Sequence, residues 1–141
     1  MLNKIVVNLV AVAAALFLAG QIYTFTALHS SIFVTYSVRL VSATLKPGEP
    51  LVVEFDFYRK RVCKTEVVRS ILNDKNEIIF RSHSVAGASP VGRMSPPLRV
   101  HVDLPALPDG RYRFYNFTYS ECSEGRHDFV DGPLEFFVKS E

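Results

Sequence analysis

The residue pattern after about Ile32 constrains the fold most strongly. No stretch there keeps a helical period, and short β-branched and aromatic runs alternate with clusters of Pro, Gly, Asp and Asn at intervals of about eight to twelve residues. The clearest run is 98–104, where Leu or Val occupies every second position and polar side chains lie between them. Alternation of this kind is typical of strands with one buried face. The pattern therefore predicts an all-β unit.

Seven strands are expected, with 86–97 as a loop rich in Gly, Ser and Pro. The predicted strands are 33–45, 51–58, 62–72, 77–85, 98–104, 111–122 and 133–139. Seven short strands over this length resemble an immunoglobulin-like or fibronectin-III-like β-sandwich. The sequence LPDGRYRF at 107–114 is similar to a tyrosine corner, which implies that the Tyr112 ring lies in the core and its hydroxyl bonds to backbone just upstream. The chain has no Trp, and the resemblance identifies an architecture, not a family.

The N-terminal segment has a different character. Residues 5–20 read IVVNLVAVAAALFLAG, with Asn8 as the single polar side chain, and apolar character continues more weakly to Leu28. Such a segment can span about 30 Å of hydrocarbon at about 1.5 Å per residue. We expect one transmembrane helix within residues 1–30, followed by the β-sandwich domain at 31–141. A cleaved signal sequence is the alternative, which the lack of a small-x-small cleavage site disfavours.

The charges flanking this segment leave its orientation nearly undecided. Lys4 and the amino terminus lie on one side, and Arg39 and Lys46 lie on the other. Tyr23 and Phe25 suit the far interface, and a cysteine pair suits an oxidising compartment. These features predict a single-pass membrane protein with a cytoplasmic N-terminus and a periplasmic or extracellular C-terminal domain.

Three small residues in the same segment are spaced four apart: Ala11, Ala15 and Ala19. Positions with this spacing share one helix face, where small side chains let a second helix approach closely. The spacing predicts helix pairing, with passive anchoring as the alternative.

Two cysteines, Cys63 and Cys122, begin the third predicted strand and end the sixth. In an immunoglobulin-like topology these strand ends are neighbours, so a disulfide is expected, and it would stabilise the fold by about 3–4 kcal/mol. Two free thiols in a reducing compartment are the alternative. Metal binding by this pair is not expected, because no CxxC or HxxxH spacing accompanies it.

A basic loop precedes and follows the first cysteine. It contains Arg59, Lys60, Arg61 and Lys64. Near a bilayer, this basic loop would attract anionic lipid head groups or an acidic partner. The alternative is a solvated loop whose charge is balanced by Glu121, Glu124 and Asp128.

The aromatic residues of the last two strands suggest an interface. If Tyr112 and Phe114 point into the core, alternation places another set outward: Tyr115, Phe117, Tyr119 and Phe137. Exposed aromatic side chains on neighbouring strands are typical of a protein–protein interface. The alternative is a bulge in the sixth strand that buries these rings and exposes Asn116 and Thr118.

No catalytic, metal or cofactor site is expected. The four histidines are dispersed: His29, His83, His101 and His127. The serines lack a nucleophile-elbow context: Ser82, Ser84 and Ser89. A calcium site fits no known loop spacing: Glu121, Glu124, Asp128 and Asp131. The Asn116 glycosylation sequon lies mid-strand. A net charge of +2 does not favour nucleic acid as a partner.

These features together predict a membrane-anchored immunoglobulin-like domain, not an enzyme. It would act by protein–protein contact as a structural or accessory subunit of an envelope, secretion or virion-associated assembly. Its expected partners are the lipid bilayer and either another protein or further copies of the chain, with no small-molecule substrate evident. The alternative is a secreted or periplasmic ligand- or metal-binding module released by signal cleavage.

Overall fold

The structure of the protein is a computed structural model that describes residues 2–29, 32–86 and 90–140. The chain divides into two compact units, Met1–Ser30 and Ser31–Glu141. The first unit contains the helix α1, Leu2–His29. The side chains described along α1 are mostly apolar and exposed, as Leu9 and Leu16 illustrate.

The predicted transmembrane anchor is contradicted. Within the described part of the chain, no helix is both long enough and apolar enough to cross a membrane. The uninterrupted apolar stretch of α1 lies between Asn8 and Gln21 and covers about 18 Å, whereas a hydrocarbon core is about 30 Å thick. The single-pass topology and the cytoplasmic-to-exterior localisation depended on this anchor and are corrected with it.

The second unit is mostly β, and its described residues contain nine strands. They are β1 Phe33–Leu40, β2 Thr44–Leu45, β3 Leu51–Arg59, β4 Lys64–Leu72, β5 Ile78–Ala86, β6 Gly92–Arg93, β7 Leu98–Val102, β8 Gly110–Cys122 and β9 Gly125–Val138. One sheet has β3 at its centre, paired with β1, β6 and β7. The other sheet has the order β2-β9-β8-β4-β5. Its pairs are antiparallel except that β2 runs parallel to β9.

The predicted seven-stranded immunoglobulin-like or fibronectin-III-like assignment is also corrected, because the structure supports a mostly β unit of two sheets and nothing more specific. The expected first strand, 33–45, is two strands in different sheets. The break falls at Ser42, whose hydroxyl bonds to the backbone of Thr44 and so replaces ladder hydrogen bonds. The expected loop 86–97 contains β6, and β9 begins at Gly125 instead of residue 133.

The interior between the sheets is apolar at one end. We call this end the apolar half, and its buried members are Leu45, Leu51, Val53, Ile71, Tyr112, Phe114, Phe136 and Val138. The Tyr112 and Phe136 rings stack here with centroids 5.6 Å apart. The Tyr112 hydroxyl donates to the Pro108 carbonyl oxygen over 2.7 Å, which confirms the hydrogen bond expected of a tyrosine corner.

The interior at the other end carries polar side chains. We call this end the polar half, and its polar members are Arg59, Thr65, Arg69, Asn116, Thr118, Ser120 and Asp131. The same strand, β8, supplies both ends, because its buried residues change from Tyr112 and Phe114 to Asn116, Thr118 and Ser120. The two halves, although enclosed by the same two sheets, therefore differ in side-chain chemistry.

Candidate functional site: the outer face of the five-stranded sheet

The strand β8 alternates without interruption, so Tyr115, Phe117 and Tyr119 face outward. Every second residue from Tyr112 to Ser120 is buried, and the residues between them are partly exposed. The register shift falls opposite Tyr115, because Phe114 pairs with Leu134 while Asn116 pairs with Asp131. The one extra residue thus lies in β9, and the alternative of a bulge in β8 that reverses its faces is wrong.

The irregularity in β9 occurs at Gly132, which the local geometry requires to be glycine. Its φ is +111°, and a Cβ at this position would lie 2.6 Å from the Phe114 carbonyl oxygen. Neither condition suits an L side chain. The glycine absorbs the register shift, so β8 keeps the regular alternation that places its rings outward.

The outward rings form a continuous apolar surface that we call the aromatic patch. It consists of Tyr115, Phe117 and Tyr119 with Val68 and Val130. The Tyr115 and Phe117 rings stack with centroids 6.0 Å apart and planes 16° apart. Phe117 has Val68 opposite it on β4 and Val130 opposite it on β9, and Val130 is 51% exposed. Clustered, partly exposed aromatic side chains are enriched at protein interfaces.

Charged residues border the aromatic patch. The Arg126 guanidinium lies 4.7 Å from the Tyr119 ring centroid, and its Nε donates to Asp128 Oδ1 over 2.6 Å. His83 Nε2 lies 3.3 Å from Glu66 Oε2. Beside them is a groove of about 240 Å³ lined by Lys64, Glu66, Val68, His83, Tyr119, Glu121 and Arg126. An apolar centre with a polar rim of both charge signs is the usual organisation of a protein-binding surface.

Phe137 does not belong to the aromatic patch, although strand alternation predicts that it does. It is 40% exposed and pairs with Arg111 on β8 and Thr44 on β2. Arg111 precedes Phe117 by six positions, which is about 20 Å along a strand. The four predicted interface residues therefore form one group of three and one separate aromatic residue.

The predicted disulfide between Cys63 and Cys122 is confirmed, with the two Cα atoms 5.0 Å apart. It lies where β4 begins and β8 ends, next to the pairing of Lys64 with Glu121. The bond joins these strand ends at the margin of the polar half. The pairing was predictable because the positions of the two cysteines at strand ends can be read from the sequence.

The basic loop does not present four equivalent cations. Arg59 is 2% exposed and its Nη2 donates to the Cys63 carbonyl oxygen and to Thr65 Oγ1. Burial lowers the pKa of Arg59 below its ordinary value. Arg61 forms an ion pair with Glu124, as the alternative of a balanced loop predicted. Lys60 and Lys64 are exposed.

The residues considered for metal binding lie in different surroundings, some of them exposed and one of them in the interior. Among the described residues, Cys122, Glu124 and His127 have ligand atoms within 4.8 Å of one another, but the Cys122 sulfur is bonded to Cys63. Hydrogen bonding, first from its own backbone amide, lowers the pKa of Glu124. Asp128 is exposed and Asp131 lines the interior, so these two carboxylates do not share a site.

Several other sequence features are structural in character. His83 and His101 lie on β5 and β7, and His29 lies in α1. Ser84 Oγ accepts a hydrogen bond from Arg69 Nη1, and Ser89 lies outside the described residues. Asn116 is 5% exposed, so its side chain is not accessible to a glycosyltransferase. The exposed Ala11, Ala15 and Ala19 lie along α1, and their pairing with a second helix stays a prediction.

The polar half contains a cavity of about 120 Å³ that the sequence pattern does not predict. Its polar lining includes Asp131, which accepts a hydrogen bond from Asn116 Nδ2 over 3.3 Å. Burial raises the pKa of Asp131, and hydrogen bonds from Asn116 and Thr35 oppose that shift. The available signal in the sequence is the inward parity of Asn116 and Thr118, two polar residues at core positions.

Comparison with known proteins leaves the family of this chain open. No protein-family model matches it, and no curated protein sequence matches it. Among solved structures, the alkylpurine DNA glycosylase AlkC of Pseudomonas fluorescens bound to DNA is 12% identical, with a TM-score of 0.49 over 78% of this chain and 31% of that chain.

Two further structures show similarly low similarity. The β-glucuronidase of Parabacteroides merdae is 16% identical, with a TM-score of 0.46 over 76% of this chain and 13% of that chain. The sporulation control protein Spo0M of Bacillus subtilis is 13% identical, with a TM-score of 0.33 over 79% of this chain and 51% of that chain. The chain thus spans about half or less of the length of each. With TM-scores below 0.5, these similarities support no inference about function.

Proposed function

We propose that this protein acts by protein–protein contact, as a structural or accessory subunit of an assembly, and not as an enzyme. The aromatic patch is the contact surface. The observation that supports this proposal is the outward stack of Tyr115 and Phe117, with Val130 beside it on the neighbouring strand. Aromatic side chains at the centre of a contact supply most of the binding free energy in typical interfaces.

The rim of the aromatic patch indicates which partner to test first. Its cationic members are Lys64 and Arg126, and its anionic members are Glu66, Glu121 and Asp128. Two copies related by a two-fold axis can place opposite charges against each other, because the same surface then meets itself in reverse. A second copy of this chain is therefore the proposed partner.

Sedimentation equilibrium of the full chain tests this function. A nonionic detergent is included throughout, because α1 exposes apolar side chains. We expect a dimer whose dissociation constant rises at least about tenfold when Phe117→Ser and Tyr119→Ser are combined, since removing central aromatic residues costs more than about 1.4 kcal/mol. The circular dichroism spectrum should not change.

The matched control is Tyr36→Ser. Tyr36 is 56% exposed and lies on β1, in the other sheet, so the control removes an exposed aromatic ring without touching the aromatic patch. Association should remain at the wild-type level in this variant. A monomeric wild-type chain, or equal losses in the control and the double variant, would refute the proposed contact surface.

A further inference from the structure

The polar half contains a partly open cavity whose lining surface is mainly apolar. The cavity of about 120 Å³ is bordered by four phenyl rings, those of Phe33, Phe55, Phe57 and Phe129. Apolar cavities of about 150 Å³ bind a benzene-sized molecule in other proteins. The volume and walls of this cavity therefore suit a small ring compound.

One buried acceptor in the cavity lining has no hydrogen-bond partner within the part of the chain that the structure describes. It is Oδ1 of Asn116, a residue that is 5% exposed. The amide nitrogen of the same side chain already donates to Thr118 Oγ1 and Asp131 Oδ2. Because a buried unpaired acceptor is unfavourable, an occupant that donates a hydrogen bond here gains affinity.

The charges and the hydrogen-bonding groups around the cavity together favour a neutral occupant. Its lining contains two guanidinium groups, of Arg59 and Arg69, and one carboxyl group, of Asp131. The two cations oppose an ammonium group, and a carboxylate has no hydrogen to donate to Asn116 Oδ1. Arg69 Nε is a buried donor that has no hydrogen-bond partner among the described residues. A hydroxyl oxygen can satisfy it, because a hydroxyl group accepts as well as donates.

We propose that the cavity in the polar half binds a small, neutral, hydroxyl-bearing ring compound of the phenol class. The ring lies among the four phenyl groups, and the hydroxyl donates to Asn116 Oδ1. This inference is independent of the aromatic patch, which lies on the opposite face of β8.

The test is a titration of the full ¹⁵N-labelled chain in nonionic detergent, followed by amide chemical shifts. The probes are phenol, toluene, benzylamine and benzoate, which differ in hydrogen-bonding capacity and charge but not in ring size. Phenol should shift amides of cavity-lining residues in a saturable way. It should bind about tenfold more tightly than toluene, because toluene leaves the buried acceptor unpaired.

A pair of neighbouring substitutions localises the binding. Ala86 lines the cavity, whereas Val85 is 63% exposed on the other face of β5. Ala86→Phe fills the cavity and should abolish the phenol-induced shifts, whereas Val85→Phe adds bulk outside and should retain them. If Ala86→Phe does not fold, Asn116→Ala provides the second variant, and in it phenol should lose its advantage over toluene.

Three results would overturn the proposal. Phenol-induced shifts confined to α1, or equal in Ala86→Phe and wild type, would place the binding elsewhere. Tighter binding of benzylamine or benzoate than of phenol would assign the cavity to a charged ligand. Absence of saturable shifts with any of the four probes would show that the cavity is not a site for ring compounds.

Discussion

The apolar and polar halves of the interior are enclosed by the same two sheets but are stabilised differently. In the apolar half, Phe114 and Phe136 are fully buried, and their contribution comes from removal of apolar surface from water. In the polar half, Thr65 and Ser120 join across β4 and β8 by a hydrogen bond of 3.0 Å. Such hydrogen bonds contribute less net stability than the same area of apolar contact, because the groups lose hydrogen bonds to water.

The comparison explains the position of the disulfide. The bond between Cys63 and Cys122 lies at the margin of the polar half, where polar side chains such as Thr65 and Ser120 are buried. The interior nearby contains Arg59, which burial makes costly unless its hydrogen bonds are satisfied. A covalent bond that restricts the unfolded chain offsets this deficit. The apolar half is stabilised by burial of apolar side chains and does not bear this cost.

The largest expected effect comes from truncating the apolar half. Phe114→Ala should lower the free energy of unfolding by about 3–5 kcal/mol, because it removes a fully buried ring and leaves a cavity. In the polar half, Thr118→Val keeps the shape of the side chain and removes only its hydroxyl group. This change should cost less than about 1.5 kcal/mol. Urea denaturation measures both values. Equal losses would show that the two halves contribute alike.

Removing the disulfide should have the next largest effect. Replacing both cysteines, Cys63→Ser with Cys122→Ser, should lower the free energy of unfolding by about 2–4 kcal/mol, since the unfolded chain regains conformational entropy. Urea denaturation of the wild-type chain under reducing conditions should give a matching loss. A variant as stable as the oxidised wild type would contradict the compensating role of the bond.

A smaller effect is expected at the corner in the apolar half. Tyr112→Phe keeps the ring and removes the hydroxyl that donates to the Pro108 carbonyl oxygen. The free energy of unfolding should fall by about 1 kcal/mol, measured by thermal or urea denaturation. A loss as large as that of Phe114→Ala would mean that the hydrogen bond, and not ring packing, organises this end.

The smallest effect is a difference in pH dependence between two aspartates. Burial raises the pKa of Asp131 above its ordinary value of 3.8, so the folded chain binds more protons at this group than the unfolded chain does. Wild-type stability relative to Asp131→Asn should therefore fall as pH rises from 3.8 through the raised pKa.

Asp56 provides the control of opposite sign. Hydrogen bonds from Arg93 lower the pKa of Asp56 below 3.8, so its contribution is present above that pH and is lost as pH falls through the lowered pKa. Urea denaturation from about pH 2 to 7 of wild type, Asp131→Asn and Asp56→Asn separates the two. Difference curves of the same sign would contradict the placement of Asp131 in the interior.

The sequence was sufficient where local pattern determines structure. Alternation predicted the β content and the outward direction of Tyr115, Phe117 and Tyr119, and the 107–114 motif predicted the Tyr112 hydrogen bond. The cysteine spacing at strand ends predicted the disulfide. These features depend on residues close in sequence or on a single strand pairing.

The sequence was insufficient where distant residues determine structure. The division of 33–45 between two sheets depends on β2 pairing with β9, and the register of β9 depends on the close approach of Gly132 to Phe114. The burial of Arg59 and the cavity beside Asn116 arise where two sheets meet. The separation of Phe137 from the aromatic patch likewise follows from register, which periodicity does not specify.

The most direct test of the aromatic patch as a contact surface is site-specific photocrosslinking of the purified full chain. A benzophenone-bearing phenylalanine analogue replaces Phe117 in one preparation and Tyr36 in another. We expect a covalent dimer on irradiation of the chain labelled at 117, its loss when Tyr119→Ser is added, and no dimer from the chain labelled at 36. Dimer formation from position 36 alone, or from neither position, would contradict the account.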